Sequence, residues 1–351
     1  MKRKLLAATA AAMLLVLFVA GCGTGNKAAS TNTSSTSLPR VVIMVGGIEK
    51  QIYLPFELAE RLGYFKDEGL NVVLMTEAAG QDAEVATLSG QVDGAGGFYD
   101  HCIDLQTKGK YLESVVQMAQ SPGERLMIAN RVKDRVKTLA DLKGTKIGIT
   151  DLGSSTNFLA NYLVVKGGNP VDSYTPVPVG AGDTLIAAMK QGRIDLAVTT
   201  EPTVSRLEQM GLASMFVDMN SASGVQTNLG GAYPATCLYM RNDYVQAHPE
   251  VVQKLVNAFV KTLQWMSQHT PEEIADKMPD AYYAGDKGMY VTALKGTLPM
   301  FTTDGLMPKG GPENIVKILS MFNPDIKSAH IDLSKTYTTE FVDKALQNQN
   351  K

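Results

Sequence analysis

LSGQVDGAGGFY at residues 88–99 and KQGRIDLAVTTE at residues 190–201 match in order and spacing. Gly90 aligns with Gly192, Val92 with Ile194 and Asp93 with Asp195. Each glycine is placed to stop a helix in a left-handed conformation, and each aspartate falls in the turn before a strand. Reading outward from the first copy gives a strand at 40–45 (RVVIMV), a helix at 54–62, a strand at 71–75 (NVVLM), a helix at 82–89 and a strand at 94–98. The second copy repeats the order, with a strand at 145–149, a helix at 157–166, a strand at 175–179, a helix at 184–191 and a strand at 196–199. Strands alternating with helices specify α/β architecture, here two βαβαβ units and two open sheets.

Ligands in such sheets bind beyond the carboxyl ends of the strands. Those ends lead into the loops 46–53, 98–101, 151–156 and 200–202, which would enclose one cleft if two lobes face each other. The remainder starts no third unit. A strand at 235–241 precedes a long helix opened by His248-Pro249 and running to about residue 267. Further helices are expected near 271–277, 287–294 and 312–321, as a return that packs on the first lobe. Val251, Leu255, Ala258, Phe259 and Leu263 recur at helical spacing and form a core stripe.

The chain opens Met1-Lys2-Arg3-Lys4 and then runs apolar from Leu5 to Ala20. This is a charged n-region and an h-region too short for an ordinary spanning helix. It ends Val19-Ala20-Gly21-Cys22, small residues before a cysteine, as in a lipobox, so Cys22 is expected to carry lipid and begin the mature chain. Several acyl chains on one residue anchor stably where a single chain does not. The alternative is a plain signal peptide or uncleaved anchor. Residues 23–37 (GTGNKAASTNTSSTS) are small and polar, a tether of roughly 20 Å end to end. No later segment is apolar enough to span.

Removing Lys2, Arg3 and Lys4 with the leader moves the formal charge from −2 to −5. That acidity argues against nucleic acid, which wants a basic stripe. Cys102 and Cys237 can pair or stay as buried thiols. The four histidines, His101, His248, His269 and His330, have no metal-ligand spacing, and no cofactor is expected.

With these features in place, the chain resembles ABC-importer solute-binding lipoproteins of the type II periplasmic-binding fold. Within them it is most similar to the nitrate/sulfonate/taurine-binding branch, which includes thiamine-pyrimidine-precursor binders. The carrying stretches are YLPFELAERLGYFKDEGLNV (53–72), TLADLKGTKIGITDLGSST (138–156), IAAMKQGRIDLAVTTEP (186–202) and LYMRNDYVQAHPEVV (238–252). The resemblance implies crossover strands near 126–131 and 238–241, giving one lobe from 38–126 plus 240–351 and another from 127–239. It also implies a monomer that closes about a hinge on a small-molecule solute. The solute then passes to a membrane permease and its ATPase, on the extracytoplasmic side.

Candidate ligand-binding residues lie in the four loops. Gly153, Ser154, Ser155 and Thr156 match the family's Gly-Ser-Ser segment at a helix start, where free N–H groups and hydroxyls suit an acceptor-rich group. The same residue types also serve as helix caps. Lys50, Gln51 and Tyr53 follow the first strand, either facing ligand or forming a solvated turn with one packing aromatic. Phe98, Tyr99 and Asp100 follow the third strand, where aromatics stack on a planar ligand or fill core and Asp100 caps the next helix. Asp100 and His101 are sequence neighbours, poor geometry for a catalytic dyad. Glu201, beside Pro202, touches ligand, bridges the lobes or is structural. Tyr233 precedes the return strand. The helix start and Lys50 favour an anion, whereas the acids and aromatics favour a ring with donor nitrogens or hydroxyls. An organic solute reconciles them.

Two other classes compete. The nucleophile-elbow and phosphate-loop patterns are absent, and Gly94 and Gly96 lack the third glycine of a dinucleotide fingerprint, Tyr99 standing there instead. A pyrimidine-building enzyme shares the fold, but its cysteine-rich motif is missing here. A sensor for a membrane partner is the other alternative.

Overall fold

The computed structural model describes residues 38–349, which group as one compact unit. The expected leader, Cys22 and tether lie outside the described residues.

The first sheet contains β1 (Arg40–Val45), β2 (Asn71–Thr76), β3 (Gly94–Phe98), β4 (Leu112–Gln117) and, from far along the chain, β10 (Thr236–Arg241). The second contains β5 (Glu124–Ala129), β6 (Lys146–Ile149), β7 (Thr175–Pro178), β8 (Leu196–Thr200) and β9 (Ala213–Met219). The strand orders are β2-β1-β3-β10-β4 and β7-β6-β8-β5-β9. In each sheet three parallel strands are followed by an antiparallel fourth, β10 against β3 and β5 against β8. The two units are therefore the same topology executed twice.

The duplicated motif has a common physical job. Gly90 (φ 75°) and Gly192 (φ 71°) end their helices in the left-handed region, which glycine enters without a Cβ penalty. Asp93 Oδ2 accepts from the Val42 N–H of β1 at 2.8 Å, and Asp195 Oδ2 accepts from the Lys146 N–H of β6 at 3.0 Å. Each aspartate thus ties the turn to the first strand of its own unit. An arginine from the antiparallel strand's end completes each corner. Arg241 donates to the Thr87 carbonyl at 3.0 Å, and Arg131 pairs with Asp195 at 3.0 Å. Burial alone would raise the Asp195 carboxyl, but the Lys146 N–H, Arg131 and Arg135 leave it below its ordinary value.

The glycines of β3 make room for rings. A Cβ on Gly96 would lie 2.7 Å from Phe56 Cζ, and one on Gly97 would lie 2.5 Å from the Tyr239 hydroxyl oxygen. Phe56 in turn meets Phe259 edge-on at 5.0 Å, and Phe65 meets it at 5.3 Å. Such pairs add about 0.5–1.5 kcal/mol each beyond the area they bury. They fix the long helix Pro249–Gln268 against the first sheet, through the expected stripe of Leu255, Ala258, Phe259 and Leu263. Val251 is only partly buried, and Val252 takes the core position.

The return also reaches the second unit. Phe322, after the helix Gly311–Ser320, packs against Phe158 of the helix Ser155–Lys166 at 6.2 Å. The chain changes sheets at 118–123 and 220–235, displaced from the expected 126–131 and 238–241. β5 lies whole in the second sheet and β10 whole in the first, because each pairs along its length with the parallel strands there. The crossovers run side by side, with Ala235 N–H donating to the Ala119 carbonyl at 3.0 Å and Tyr233 N–H to Gln120 at 3.2 Å. Cys102 and Cys237 are free and buried. Among the described residues no helix is long and apolar enough to cross a membrane.

Candidate functional site

A cavity opens where the carboxyl ends of the parallel strands from the two sheets meet. It spans about 370 Å³, part of it open to solvent. The first sheet contributes Gly46, Lys50, Ile52, Tyr53, Gly80 and Phe98, and the second contributes Glu124, Thr150, Ser154, Ser155, Thr156, Ala181, Thr199 and Thr200. The gap is therefore two-sided.

Lys50 is buried, and its ammonium donates to the carbonyls of Gly46 (2.7 Å) and Ala78 (3.0 Å). Burial pulls its pKa down, opposed by the charges of Glu49, Glu124 and Asp82. Two of its three N–H donors are thus spent on backbone and one remains. Tyr53 and Phe98 line the same side, edge-on to each other at 6.4 Å.

On the other side the helix Ser155–Lys166 begins. Its N-cap, Ser154, does not cap it with its side chain. The Ser154 hydroxyl instead donates to the Asp151 carbonyl at 2.6 Å and joins Thr150 (2.9 Å) and Thr156 (2.7 Å) in a hydroxyl cluster. Both alternatives for this loop therefore need refining, since the serine is structural without closing off the helix's first N–H groups. Ser155 turns towards the first sheet and donates to Asp100 Oδ1 at 2.7 Å.

Six expected site residues do not line the cavity. Asp100 is fully buried and accepts from Ser155 and, at 2.7 Å, from Tyr233. Burial raises its carboxyl, while His101 and the two hydroxyls hold it down. Tyr99 points to Thr336 and packs on Tyr337. Gln51 donates to the Tyr290 carbonyl at 3.0 Å, while its N–H reaches the Glu201 carbonyl at 3.1 Å, bridging the sheets through backbone. The Glu201 side chain faces Arg125 (3.3 Å) and the Ser205 N–H (3.0 Å). Gly153 (φ 79°) shapes the turn, its N–H held by Asn157 at 3.0 Å.

Behind Asp100 lies His101, whose Nδ1 is 2.6 Å from Glu84 and whose Nε2 is 3.4 Å from the Ser155 hydroxyl. Burial pulls the imidazole down, but Glu84, Asp100 and Asp104 together push it up to about 9.

The residue that sequence reading missed is Glu124. It lines the cavity, is 3% exposed, and its Oε2 has no hydrogen-bond partner. Burial and the Asp100 charge push its carboxyl up to about 8, with Lys50 opposing. The rule that ligands sit at the carboxyl ends of parallel strands passes over it, because Glu124 opens an antiparallel strand. That strand's amino end shares the same edge, Glu124 pairing with Thr200 at the end of β8. The available signal is a glutamate directly after Gly123, two residues before the apolar run at 126–129.

Residues 52–274 match the NMT1/THI5-like family. The chain belongs to that family. Among curated relatives it is 21% identical over 318 residues to the nitrate/nitrite binding protein NrtA of Nostoc sp., covering 80% of this chain and 70% of that one. It is 24% identical to the formylaminopyrimidine-binding protein of Halalkalibacterium halodurans, over 75% of each chain. It is 27% identical to a 4-amino-5-hydroxymethyl-2-methylpyrimidine phosphate synthase of Aspergillus parasiticus, over 65% of this chain and 67% of that one. A solved structure of a Bordetella bronchiseptica RB50 protein superposes with a TM-score of 0.85 at 34% identity, covering 89% of this chain and 98% of that one. The two-lobed periplasmic binding fold and the branch indicated by the resemblance are those of this chain. Solute-binding proteins of import systems and pyrimidine synthases both occur among its relatives.

Proposed function

We propose that this protein is the extracytoplasmic solute-binding subunit of an ABC importer. It captures a small organic solute, bearing a carboxylate or sulfonate or an aromatic or heteroaromatic ring, and closes around it. It delivers the solute as a monomer to the permease and ATPase, held at the membrane by lipid on Cys22. The observation that carries this reading is the cavity walled by both sheets, with two adjoining crossovers as the only chain connections between sheets among the described strands. Such a layout favours hinge closure. The titratable groups also favour binding over turnover. His101 is engaged by Glu84 behind the wall, and both cysteines are buried with thiols pushed up by desolvation.

The test is mass spectrometry of the small molecules released on unfolding the full chain, purified in detergent, with a thermal-shift screen of carboxylates, sulfonates, pyrimidines and aromatic acids. A ligand at a hundred times its dissociation constant adds about 2.7 kcal/mol of stability. A specific, unchanged ligand supports the reading. Conversion of a bound compound into product overturns it in favour of a synthase.

A further inference from the structure

We propose that Glu124 sets the specificity of this cavity. In this reading the solute carries a cationic or N–H-donating nitrogen for Glu124 and an acceptor group for Lys50 and the start of the helix Ser155–Lys166. The inference rests on the binding-protein reading and narrows its solute class, excluding a bare oxyanion.

Three observations converge. Glu124 Oε2 is buried without a partner, while the neighbouring hydroxyls of Ser154 and Ser155 are already bonded. A buried acceptor left unmade costs about 1–3 kcal/mol, so a donor brought by the solute repairs a standing deficit. Lys50 retains one N–H after its bonds to Gly46 and Ala78, and the nearby helix has no side-chain cap, so both can receive an acceptor. A simple anion would satisfy Lys50 and the helix start but would bring no donor to Glu124 Oε2. A solute with both ends satisfies all of them. The raised carboxyl of Glu124 fits as well, since a protonated nitrogen beside it would restore the carboxylate and release a proton on binding.

Pairs of compounds differing by one amino group decide it: β-alanine against propionate, taurine against ethanesulfonate, and 4-aminopyrimidine against pyrimidine. Each is titrated calorimetrically into the full chain in detergent and into Glu124→Gln. Sites built to bond a polar group reject analogues lacking it strongly, so we expect at least ~100-fold preference for the amino member of one pair. Glu124→Gln, whose folding is checked by circular dichroism, should cut that preference about tenfold or more. Equal binding of the members lacking the amino group, or a preference that survives Glu124→Gln, overturns the inference while leaving the importer reading intact. No binding of any member also overturns it. If Glu124→Gln does not fold, Glu124→Ala replaces it under the same criteria. Chemical conversion of a probe, read by mass spectrometry in the same samples, instead overturns the importer reading.

Discussion

The Ser155 hydroxyl donates to the Asp100 carboxylate across 2.7 Å, and the two residues follow strands of different sheets. Asp100 starts the helix after β3, and Ser155 starts the helix after β6. With the Gln51–Glu201 backbone bond and the Phe158–Phe322 contact, this bond joins the two halves of the molecule through the chain's own groups. On the proposed hinge-closing reading, a bound solute would add to these contacts.

Ser155→Ala should therefore open the ligand-free protein. Hydrogen bonds to charged groups contribute about 1.5–3 kcal/mol, enough to move an open–closed equilibrium by about tenfold or more. Small-angle scattering of the full chain should show a larger radius of gyration in the variant. An unchanged profile would mean that the bond follows closure without stabilising it.

Ser154→Ala should behave differently. The Ser154 hydroxyl bonds to the Asp151 carbonyl and to neighbouring hydroxyls, so its loss falls on the loop, at about 1–2 kcal/mol of stability. Thermal melts would register that loss, while intrinsic solute affinity should change less than in Ser155→Ala. A larger affinity loss for Ser154→Ala would assign direct ligand contact to the wrong serine.

Stability should fall as the solution becomes alkaline. Glu124 is pushed up to about 8 from 4.5, so the folded state holds its proton where the unfolded state has lost it. That contribution is complete at acid pH and disappears as pH rises through 8. His101, raised to about 9 from 6.5 in the presence of Glu84, contributes below 6.5 and loses its contribution as pH rises through 9. Both act in the same direction. The melting temperature of the ligand-free protein should drop between about pH 5 and 9. Glu124→Gln and Glu84→Gln should each make the drop shallower. A Glu124→Gln profile as steep as wild type would remove Glu124 from the explanation.

How much of this could be read beforehand depended on where the signal lived. The duplicated Gly-x-Val/Ile-Asp motif locates the parallel strands of both sheets, because its glycine and aspartate act locally, on their own turn and first strand. The loops at the carboxyl ends of the strands were also legible, and Lys50, Tyr53, Phe98, Ser154, Ser155 and Thr156 do line the cavity. Which neighbours turn away was not legible. Gln51 and Tyr99 face partners 239 and 237 positions along the chain, a relation that no local pattern carries. Glu124 was hidden for a topological reason, since its strand runs opposite to those the ligand rule describes.

Gly46 offers a last test, because it joins packing to the site. It follows β1, lines the cavity, and its carbonyl holds the Lys50 ammonium at 2.7 Å. A Cβ there would lie 2.7 Å from Gly80 Cα and 2.9 Å from Gly80 N. Those are backbone atoms and cannot step aside by changing rotamer. Overpacking of this kind costs about 1–3 kcal/mol, and any shift of the strand end also displaces Lys50. Gly46→Ala should therefore lower both the melting temperature and the affinity for the solute. Gly296 is the control, sitting inside the helix Lys287–Thr297 with nothing within 4 Å of an added Cβ. Gly296→Ala should stabilise by about 0.5–1 kcal/mol through helix propensity, with affinity unchanged. If Gly46→Ala keeps wild-type affinity despite a lower melting temperature, the Gly46–Lys50 bond is not what positions the ammonium in the cavity.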